Sequence, residues 1–353
     1  MGCALLRRSP LQHQFDEVLG NLRVDFPFAD TPSAFAFVEV LATIGRILEH
    51  GFAVNTIRIA TRQSKLALWQ ANHVSSRLRD LGYDVTLVPV TTTGDRIQNR
   101  TLAEIGGKGL FIKELETAML EDSADLAVHS MKDVPGELPE GFVLAAILER
   151  EDPRDVVVTR DGASLNQQVV GSRVGSSSLR RRYQVRAEHP TFEYLDIRGN
   201  VDTRLGKLRA GDFEAVVLAA AGMKRLELES EITEFLPVNV SVPAAGQGAV
   251  GIECRGDNSL LQEIVAALDH PPTVRCVLAE RAFAKRLGAE CNQPVGAFAR
   301  AADRAGELEL RGFVADAQGA RHICRVTTGL IGLVADELAD DFMAAGAGDL
   351  LLT

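Results

Sequence analysis

From Thr56 onward, short apolar runs alternate with amphipathic stretches of helical length, and this alternation constrains the fold more than any other feature. In the first block the predicted strands are 57–60, 85–90 and 126–128, and the predicted helices are 64–81, with Ser64 as N-cap, and 110–120. In the second block the predicted strands are 156–159, 169–171, 192–197 and 215–219, and the predicted helices are 179–187 and 202–210. Strands separated by helices are typical of right-handed parallel units, so the pattern predicts two similarly built α/β domains.

The end of the chain has a different pattern. Predicted helices at 260–268 and 273–287 are followed by three alternating strands and a last helix, at 295–301, 307–314, 322–328 and 331–344. Consecutive strands joined by tight turns favour an antiparallel sheet with helices on one face. The sequence therefore predicts a small C-terminal α+β domain with a three-stranded antiparallel sheet.

Domain boundaries are predicted where these patterns change. Residues 56–150 form the first domain, 154–242 the second and 271–353 the third. Gly246-Gln247-Gly248 stands where the chain would return from the second block to the first, and glycines of this kind often build hinges. Residues 247–268 are therefore assigned to the first domain.

Residues 1–55 differ from the rest of the chain and are treated as an extension outside the fold. They hold six of the fifteen phenylalanines, and they match neither a secretory signal nor a transit peptide. One hypothesis is that translation starts at Val54. The expected location is the cytoplasm. The alternative is that the extension targets the protein to an organelle.

Charge and composition exclude several classes of function. The net charge of -10 argues against a nucleic-acid binder, because phosphate binding needs a basic surface. The five cysteines form no C-x-x-C pair and have no ligand-like spacing with histidine, which favours a reducing compartment and no metal site. No run of 18 apolar residues predicts a membrane span.

The segment D-L-A-V-H-S-M-K-D-V-P at 125–135 places two charged residues at the end of a predicted buried strand. In an open α/β sheet the ligand crevice lies outside the carboxyl ends of the strands. Asp133 is therefore the leading catalytic candidate, with Lys132 beside it. The alternative is a solvated turn that contains an ordinary ion pair.

Basic residues cluster between 171 and 209, a segment that contains nine lysines and arginines but only four acidic residues. Gly175-Ser176-Ser177-Ser178 opens a predicted helix, and the free N–H groups of a helix start favour anions. Arg180 and Arg181 follow in the first turn, where cations oppose the helix dipole and so do not serve helix stability. The pattern predicts a site for a polyanion, and the alternative is a solvated basic face.

Two further features lie in predicted loops. The glycine-rich run at 105–109, which contains Lys108, lacks the spacing of a nucleotide-binding loop and is interpreted as a lid over a site or as an ordinary surface loop. Cys291 follows a helix and precedes a strand. If buried it is an inert small hydrophobe, and if exposed beside a basic cleft it is a reactive thiolate.

Taken in order, these segments resemble the porphobilinogen deaminase (hydroxymethylbilane synthase) family from about Thr56 to near the end of the chain. The motifs are R-I-A-T-R-Q-S at 58–64, G-G-K-G-L-F at 106–111, V-H-S-M-K-D-V-P at 128–135, E-R-E-D-P-R-D at 149–155, G-S-S-S-L-R-R at 175–181, L-D-I-R-G-N at 195–200 and P-A-A-G-Q-G-A-V-G-I-E at 243–253. The resemblance implies a monomeric enzyme of three domains, of which the first two are like type II periplasmic binding proteins. It implies that four porphobilinogen molecules are joined head to tail into a linear tetrapyrrole, hydroxymethylbilane, with release of ammonia.

The resemblance also implies roles for individual residues. Cys291 would carry a dipyrromethane cofactor through a thioether. Ala289, Glu290 and Gln293 depart from the family, which usually has small residues, often paired glycines, before that cysteine and a β-branched residue two positions after it. Asp133 would hydrogen-bond pyrrole N–H groups and stabilise the cation left when ammonia departs. The implied cofactor-binding residues are Arg62, Ser64, Lys108, Lys132, Arg180, Arg181 and Arg204, and the implied substrate-binding residues are Arg198, Arg225 and Gln247.

Two other classes of protein compete with this interpretation. A ligand-binding protein of the same two-domain architecture needs neither a catalytic carboxylate nor a thiol. An anion-responsive regulator would need a DNA-binding helix-turn-helix, and the sequence contains no convincing one. Turnover of porphobilinogen with release of ammonia would separate an enzyme from both.

Overall fold

The computed structural model describes residues 56–96, 112–289 and 293–351. The N-terminal extension, Lys108 and Cys291 lie outside the described residues. Within the described ranges, no helix has the length and apolar character needed to cross a membrane.

The first sheet has five strands in the order β2-β1-β3-β10-β4. Its strands are β1 (Thr56–Arg62), β2 (Asp84–Val90), β3 (Leu126–Ser130), β4 (Phe142–Ile147) and β10 (Val250–Arg255). β1 runs parallel to β2 and β3, whereas β10 runs antiparallel to β3 and β4. The segment that precedes β10 therefore reaches the same edge of the sheet as the carboxyl end of β3.

Helices α1 (Lys65–Asp80), α2 (Thr93–Arg96), α3 (Lys113–Leu120) and α7 (Ser259–Ala266) accompany this sheet. The predicted N-cap of α1 is confirmed, because Ser64 Oγ accepts a hydrogen bond from the N–H of Ala67 at 3.3 Å. Val74 and Leu78, one turn apart on the inner face of α1, are completely buried. The apolar spacing of this helix thus fixes which face packs on the sheet.

The second sheet repeats the strand arrangement, in the order β7-β6-β8-β5-β9. Its strands are β5 (Asp155–Thr159), β6 (Arg173–Gly175), β7 (Glu193–Leu195), β8 (Ala215–Ala219) and β9 (Glu234–Leu236). Its helices are α4 (Leu179–Glu188), α5 (Val201–Ala210) and α6 (Ala220–Arg225). β5 is antiparallel to β8 and β9, so Asp155 at its amino end lies opposite Ala219 at the carboxyl end of β8.

The third sheet is antiparallel, with the order β11-β12-β13. Its strands are β11 (Val295–Ala301), β12 (Glu307–Ala315) and β13 (His322–Leu330), and its helices are α8 (Pro271–Arg286), α9 (Val334–Ala344) and α10 (Ala347–Leu351). Phe283 and Phe342 pack edge to face at 5.0 Å in the core between sheet and helices. Gly312 leaves room for both rings, since a Cβ there would lie 2.6 Å from Phe283.

The predicted architecture is confirmed: two α/β sheets of the same design are followed by a three-stranded antiparallel sheet. Two details of the prediction are wrong. β5 runs antiparallel to its neighbours, and so does β10, which like β4 and β9 was not predicted as a strand, so neither α/β sheet is wholly parallel. The predicted strand at 169–171 is not a strand, and Val169 and Val170 are mostly exposed there, whereas the strand forms at Arg173–Gly175. The domain boundaries remain a prediction.

Candidate active site

A tight turn at the carboxyl end of β3 carries the leading catalytic candidate. Met131–Asp133 form one turn of 3₁₀ helix, and the N–H of buried Met131 donates to the carbonyl oxygen of Ala249 at 3.0 Å. A Cβ added to Gly246 would lie 2.7 Å from the Cβ of Met131. The turn is therefore pinned by the glycine-rich segment that leads into β10.

Lys132 and Asp133 are both half-buried on this turn. No salt bridge joins them within the part of the chain that the structure describes, contrary to the ordinary ion pair considered above. Burial, and then the positive charge of Arg181, lower the pKa of Lys132 to about 8, against the opposing effect of Asp133. Burial lowers the pKa of Arg181 and of Arg204, and the negative charge of Asp133 opposes this shift at both. These four groups therefore share one electrostatic environment.

Arg180 and Arg181 lie in the first turn of α4, and both are buried. Nη1 of Arg180 donates to Oδ2 of Asp155 at 2.7 Å and to the carbonyl oxygen of Val242 at 2.6 Å. Nε of Arg181 donates to Oδ1 of Asp155 at 2.7 Å. Arg180 and Arg181 therefore lie together, and one buried carboxylate holds both.

Asp155 collects two further donors. Oγ of Ser241 donates to Oδ2 at 2.7 Å, and Nε2 of Gln247 donates to Oδ1 at 2.9 Å. Burial by itself would raise the pKa of the Asp155 carboxyl. The charges of Arg180 and Arg181 and the hydrogen bonds outweigh burial, and they hold this pKa well below its usual range. Asp155 is therefore an anion at any pH near neutrality.

Arg198 and Arg204 lie at the next strand-to-helix junction, which follows β7. The side chain of Asn200 caps α5 by accepting the N–H of Thr203 at 2.9 Å, and Nε of Arg204 donates to the carbonyl oxygen of Gly199, also at 2.9 Å. Burial, and then the charge of Arg181, lower the pKa of Arg204 to about 10, and Arg198 adds to this effect. Arg198 and Arg204 thus extend the positive region around Asp133.

Arg62 ends β1, the parallel neighbour of β3, and Ser64 follows it, so both lie at the same edge of the first sheet as the catalytic turn. Nε of Arg62 donates to Oδ2 of Asp95 at 3.1 Å, and Ser64 caps α1. Both positions agree with a binding edge. Contact with a ligand remains a prediction for each of them.

Arg225, at the end of α6, is 8% exposed. Its Nη2 donates to the carbonyl oxygen of Gly248 at 2.7 Å, and its guanidinium lies 5.3 Å from the centre of the Trp69 ring. Burial lowers the pKa of Arg225 to about 10, against the opposing charge of Glu151. Its Nε is buried and has no hydrogen-bond partner among the described residues.

Cys291 itself lies outside the described residues, whereas the strand that follows it is described. A Cβ added to Gly296, in β11, would lie 2.8 Å from the carbonyl oxygen of Val242, the same oxygen that accepts from Arg180. Gly296, five residues after Cys291 in the sequence, therefore lies close to the arginine pair.

Sequence reasoning missed Asp155 and Ser241, although 149–155 was one of the motifs. The available signal was a carboxylate at the start of an apolar strand, D-V-V-V-T at 155–159. With β5 taken as parallel, that carboxylate falls at the wrong edge of the sheet. The antiparallel direction of β5 brings it to the carboxyl ends of β6 and β8.

Comparisons with known proteins give consistent results. Residues 57–263 match the family described as "Porphobilinogen deaminase, dipyromethane cofactor binding domain", and residues 274–339 match "Porphobilinogen deaminase, C-terminal domain". The chain is 49% identical to the porphobilinogen deaminase of Burkholderia orbicola (strain MC0-3), over 84% of this chain and 90% of the relative. It is 50% identical to the porphobilinogen deaminase of Nitrosomonas europaea, over 84% of this chain and 97% of the relative. The methionine-binding protein MetQ aligns at 11% identity and a TM-score of 0.40, over 65% of this chain and 94% of that one.

Proposed function

The chain belongs to the porphobilinogen deaminase family, and we propose that the cleft around Asp133 is where it joins porphobilinogen units. The reaction is the head-to-tail assembly of four porphobilinogen molecules into hydroxymethylbilane, with loss of ammonia at each step. The single observation that carries the assignment of the site is the position of Asp133, on a pinned turn among the cations of Lys132, Arg181 and Arg204.

The described residues fit a dipyrromethane. Each of its two pyrroles carries an acetate and a propionate, so the group needs several cationic donors that are already in place. Lys132, Arg181 and Arg204 share one environment, and the Nε atoms of Arg182 and Arg225 are buried without hydrogen-bond partners among the described residues. Guanidinium groups bind carboxylates through paired hydrogen bonds. When bound, the dipyrromethane supplies the pyrrole carbon to which the first substrate unit is joined.

Asp133 is proposed to act on the substrate. As an anion it accepts hydrogen bonds from the pyrrole N–H of porphobilinogen. The same charge stabilises the cation that remains on the substrate when its aminomethyl group leaves as ammonia. After the new carbon–carbon bond forms, the carboxylate assists removal of the proton from the ring carbon. A fixed carboxylate suits all three tasks because none of them requires it to move.

A set of cationic and polar residues is proposed to bind the acetate and propionate groups. The set is Arg62, Ser64, Lys108, Lys132, Arg180, Arg181 and Arg204 for the cofactor, and Arg198, Arg225 and Gln247 for the substrate. The described members lie at the ends of β1, β3, β6, β7 and β8 or, for Gln247, just before β10, and this supports the set; Lys108 lies outside the described residues. Exclusion of water by burial strengthens each charge–charge contact.

Cys291 is proposed to attach the cofactor through a thioether. The close approach of Gly296, five residues after Cys291 in the sequence, to Val242 supports this assignment, because the carbonyl oxygen of Val242 also accepts a hydrogen bond from Arg180. The matched control is Cys324, an exposed free cysteine on β13. Intact mass should show the added dipyrromethane on the natively expressed protein and on Cys324→Ser, and no addition on Cys291→Ser. Retention of the group by Cys291→Ser would overturn the assignment.

Turnover tests the function itself. Incubation with porphobilinogen should release ammonia and form hydroxymethylbilane, whereas a ligand-binding protein of similar architecture would bind porphobilinogen and release nothing. Asp133→Asn should bind porphobilinogen and lose the release of ammonia. Binding without release in the unaltered protein would contradict the proposal.

A monomer in a reducing compartment completes the proposal, with the cytoplasm favoured over an organelle. Cys254, Cys276 and Cys324 are free thiols, which supports a reducing environment. Light scattering after size exclusion tests the monomer. Fractionation of expressing cells, with the mass of the mature chain, distinguishes cytoplasm from an organelle reached by cleavage within residues 1–55.

A further inference from the structure

The carboxylate of Asp155 is saturated by its protein neighbours. It is completely buried, and its two oxygens accept five hydrogen bonds, from Arg180 (two), Arg181, Ser241 and Gln247. A carboxylate has about four lone-pair sites, so none remains for a ligand. Any effect of Asp155 on the reaction must therefore pass through these neighbours.

The arginine pair needs such a partner because of where it lies. Arg180 and Arg181 are adjacent cations in the first turn of α4, where the helix dipole is unfavourable to positive charge. Long cationic side chains in that position would turn toward water. The buried negative charge of Asp155 offsets both the dipole and the repulsion between the two guanidinium groups.

Asp155 is also a rigid anchor. Its backbone lies in β5 between Ala219 of β8 and Leu236 of β9, so two neighbouring strands fix its position. Gln247 connects the same network to the segment before β10, because its Nε2 donates to Asp155 and its Oε1 accepts from Nη2 of Arg181 at 3.0 Å. The network thus spans both α/β sheets.

Arg181 is left with one nitrogen for other partners. Its Nε is held by Asp155 and its Nη2 by Gln247, and Nη1 forms no hydrogen bond within the described part of the chain. The charge of Arg181 acts on Lys132, and that of Asp133 acts on Arg181. The guanidinium is therefore fixed by one side and adjacent to the catalytic turn.

We propose that Asp155 is a positioning residue, which fixes the Arg180–Arg181 pair in the orientation that binds the acetate and propionate groups of the ligand. It sets the affinity of the site for those carboxylates without touching them. The inference rests on the proposed function, because it concerns the carboxylates of porphobilinogen and of the growing chain. It differs from a role in stability alone by predicting a change in substrate binding.

Asp155→Asn tests this most directly, because it keeps the shape of the side chain and removes its charge. We expect KM for porphobilinogen to rise about tenfold, and the dipyrromethane occupancy measured by intact mass to fall. The matched control is Glu214→Gln, which alters another carboxylate that pairs with an arginine, Arg173 at 2.7 Å, but at the amino ends of β6 and β8, the opposite edge of the second sheet. Glu214→Gln should lower Tm and leave KM unchanged, since a smaller folded fraction lowers the rate per milligram without altering KM.

Ser241→Ala keeps the inference testable if Asp155→Asn fails to fold. It removes one hydrogen bond to Oδ2 of Asp155 and leaves the charge in place. We expect KM to rise about twofold to threefold, in the same direction as for Asp155→Asn. If Ser241→Ala, and Asp155→Asn where it folds, lower Tm with KM unchanged, Asp155 is merely structural and the inference is wrong. If the unaltered enzyme does not turn over porphobilinogen, the proposed function itself fails.

Discussion

Arg150 and Glu280 form a two-point ion pair, in which Nη1 lies 2.5 Å from Oε1 and Nη2 lies 3.1 Å from Oε2. Arg150 follows β4 and Glu280 lies in α8, so the pair joins the first sheet to the C-terminal helices. Glu280 also accepts the N–H groups of Gly246 at 2.7 Å and of Ala299, in β11, at 2.8 Å. One buried carboxylate thus links the first sheet, the glycine turn and the third sheet.

Glu280→Gln is expected to lower the free energy of unfolding by about 3 kcal/mol, because it leaves Arg150 as an uncompensated buried charge. Urea unfolding followed by circular dichroism measures this. The control is Glu309→Gln, which breaks the exposed ion pair with Arg300 and should cost less than about 1 kcal/mol. Equal losses of unfolding free energy in the two variants would mean that the buried ion pair contributes no more to stability than the exposed one.

Asp133→Asn is expected to lower kcat by at least about 100-fold, with dipyrromethane occupancy unchanged. An amide has the same shape but cannot balance the substrate cation or accept its proton. Ammonia release and intact mass, measured on the same sample, separate chemistry from cofactor loading. Asp125→Asn is the control, because Asp125 precedes the same strand and pairs with Arg58 at 2.7 Å. Full activity of Asp133→Asn would show that Asp133 has no catalytic role.

Binding of porphobilinogen is expected to weaken as pH rises through about 8, where Lys132 loses its proton. Burial, and then the charge of Arg181, lower the pKa of this lysine to about 8, so the ammonium is present below that pH and lost above it. Calorimetry on a Cys291→Ser background would measure affinity without turnover. Lys132→Arg should abolish this loss of affinity near pH 8, because a guanidinium stays charged. Titration of the substrate amine affects the lysine and arginine forms equally, so it does not account for a difference between them. Identical pH profiles of the two forms would contradict the prediction.

Gly248→Ala is expected to destabilise the protein by more than about 3 kcal/mol and to raise KM. Gly248 has φ +91°, and a Cβ there would lie 2.4 Å from the carbonyl oxygen of Glu151. The shift would displace the carbonyl that accepts from Arg225. Gly141→Ala is a matched control, since Gly141 has the same φ of +91° and open space around it. It should cost only about 1–2 kcal/mol of backbone strain, measured by thermal unfolding, with KM unchanged.

Local patterns predicted most of the elements that position the site. The Ser64 cap, the buried run that becomes β3 and the three C-terminal strands all depend on spacing within a few residues. Arginines that are close in the sequence at 171–209 also lie close in the structure, because β6 and β7 are parallel neighbours and their carboxyl ends are adjacent. These features could be predicted because each is determined by sequence close to itself.

What the sequence alone could not predict depends on distant pairing. The antiparallel direction of β5 and β10 is set by contacts with β8 and β3, and the run at 155–159 has the same composition in either direction. The role of Asp155 follows from that direction, so it was missed as well. Val169 and Val170 were predicted to lie in a strand because valine has a high β-propensity. They are exposed instead, because no neighbouring strand pairs with them.

The place of β10 has a consequence for how the chain is made. It fills the gap between β3 and β4, yet every strand of the second sheet is translated before it. During synthesis, the sheet encoded second can close while the sheet encoded first still exposes two unpaired edges. Such long-range pairing is slow and prone to aggregation. On the ribosome, the second sheet should therefore fold before the first sheet is complete. Chaperones should bind nascent chains that end before residue 250.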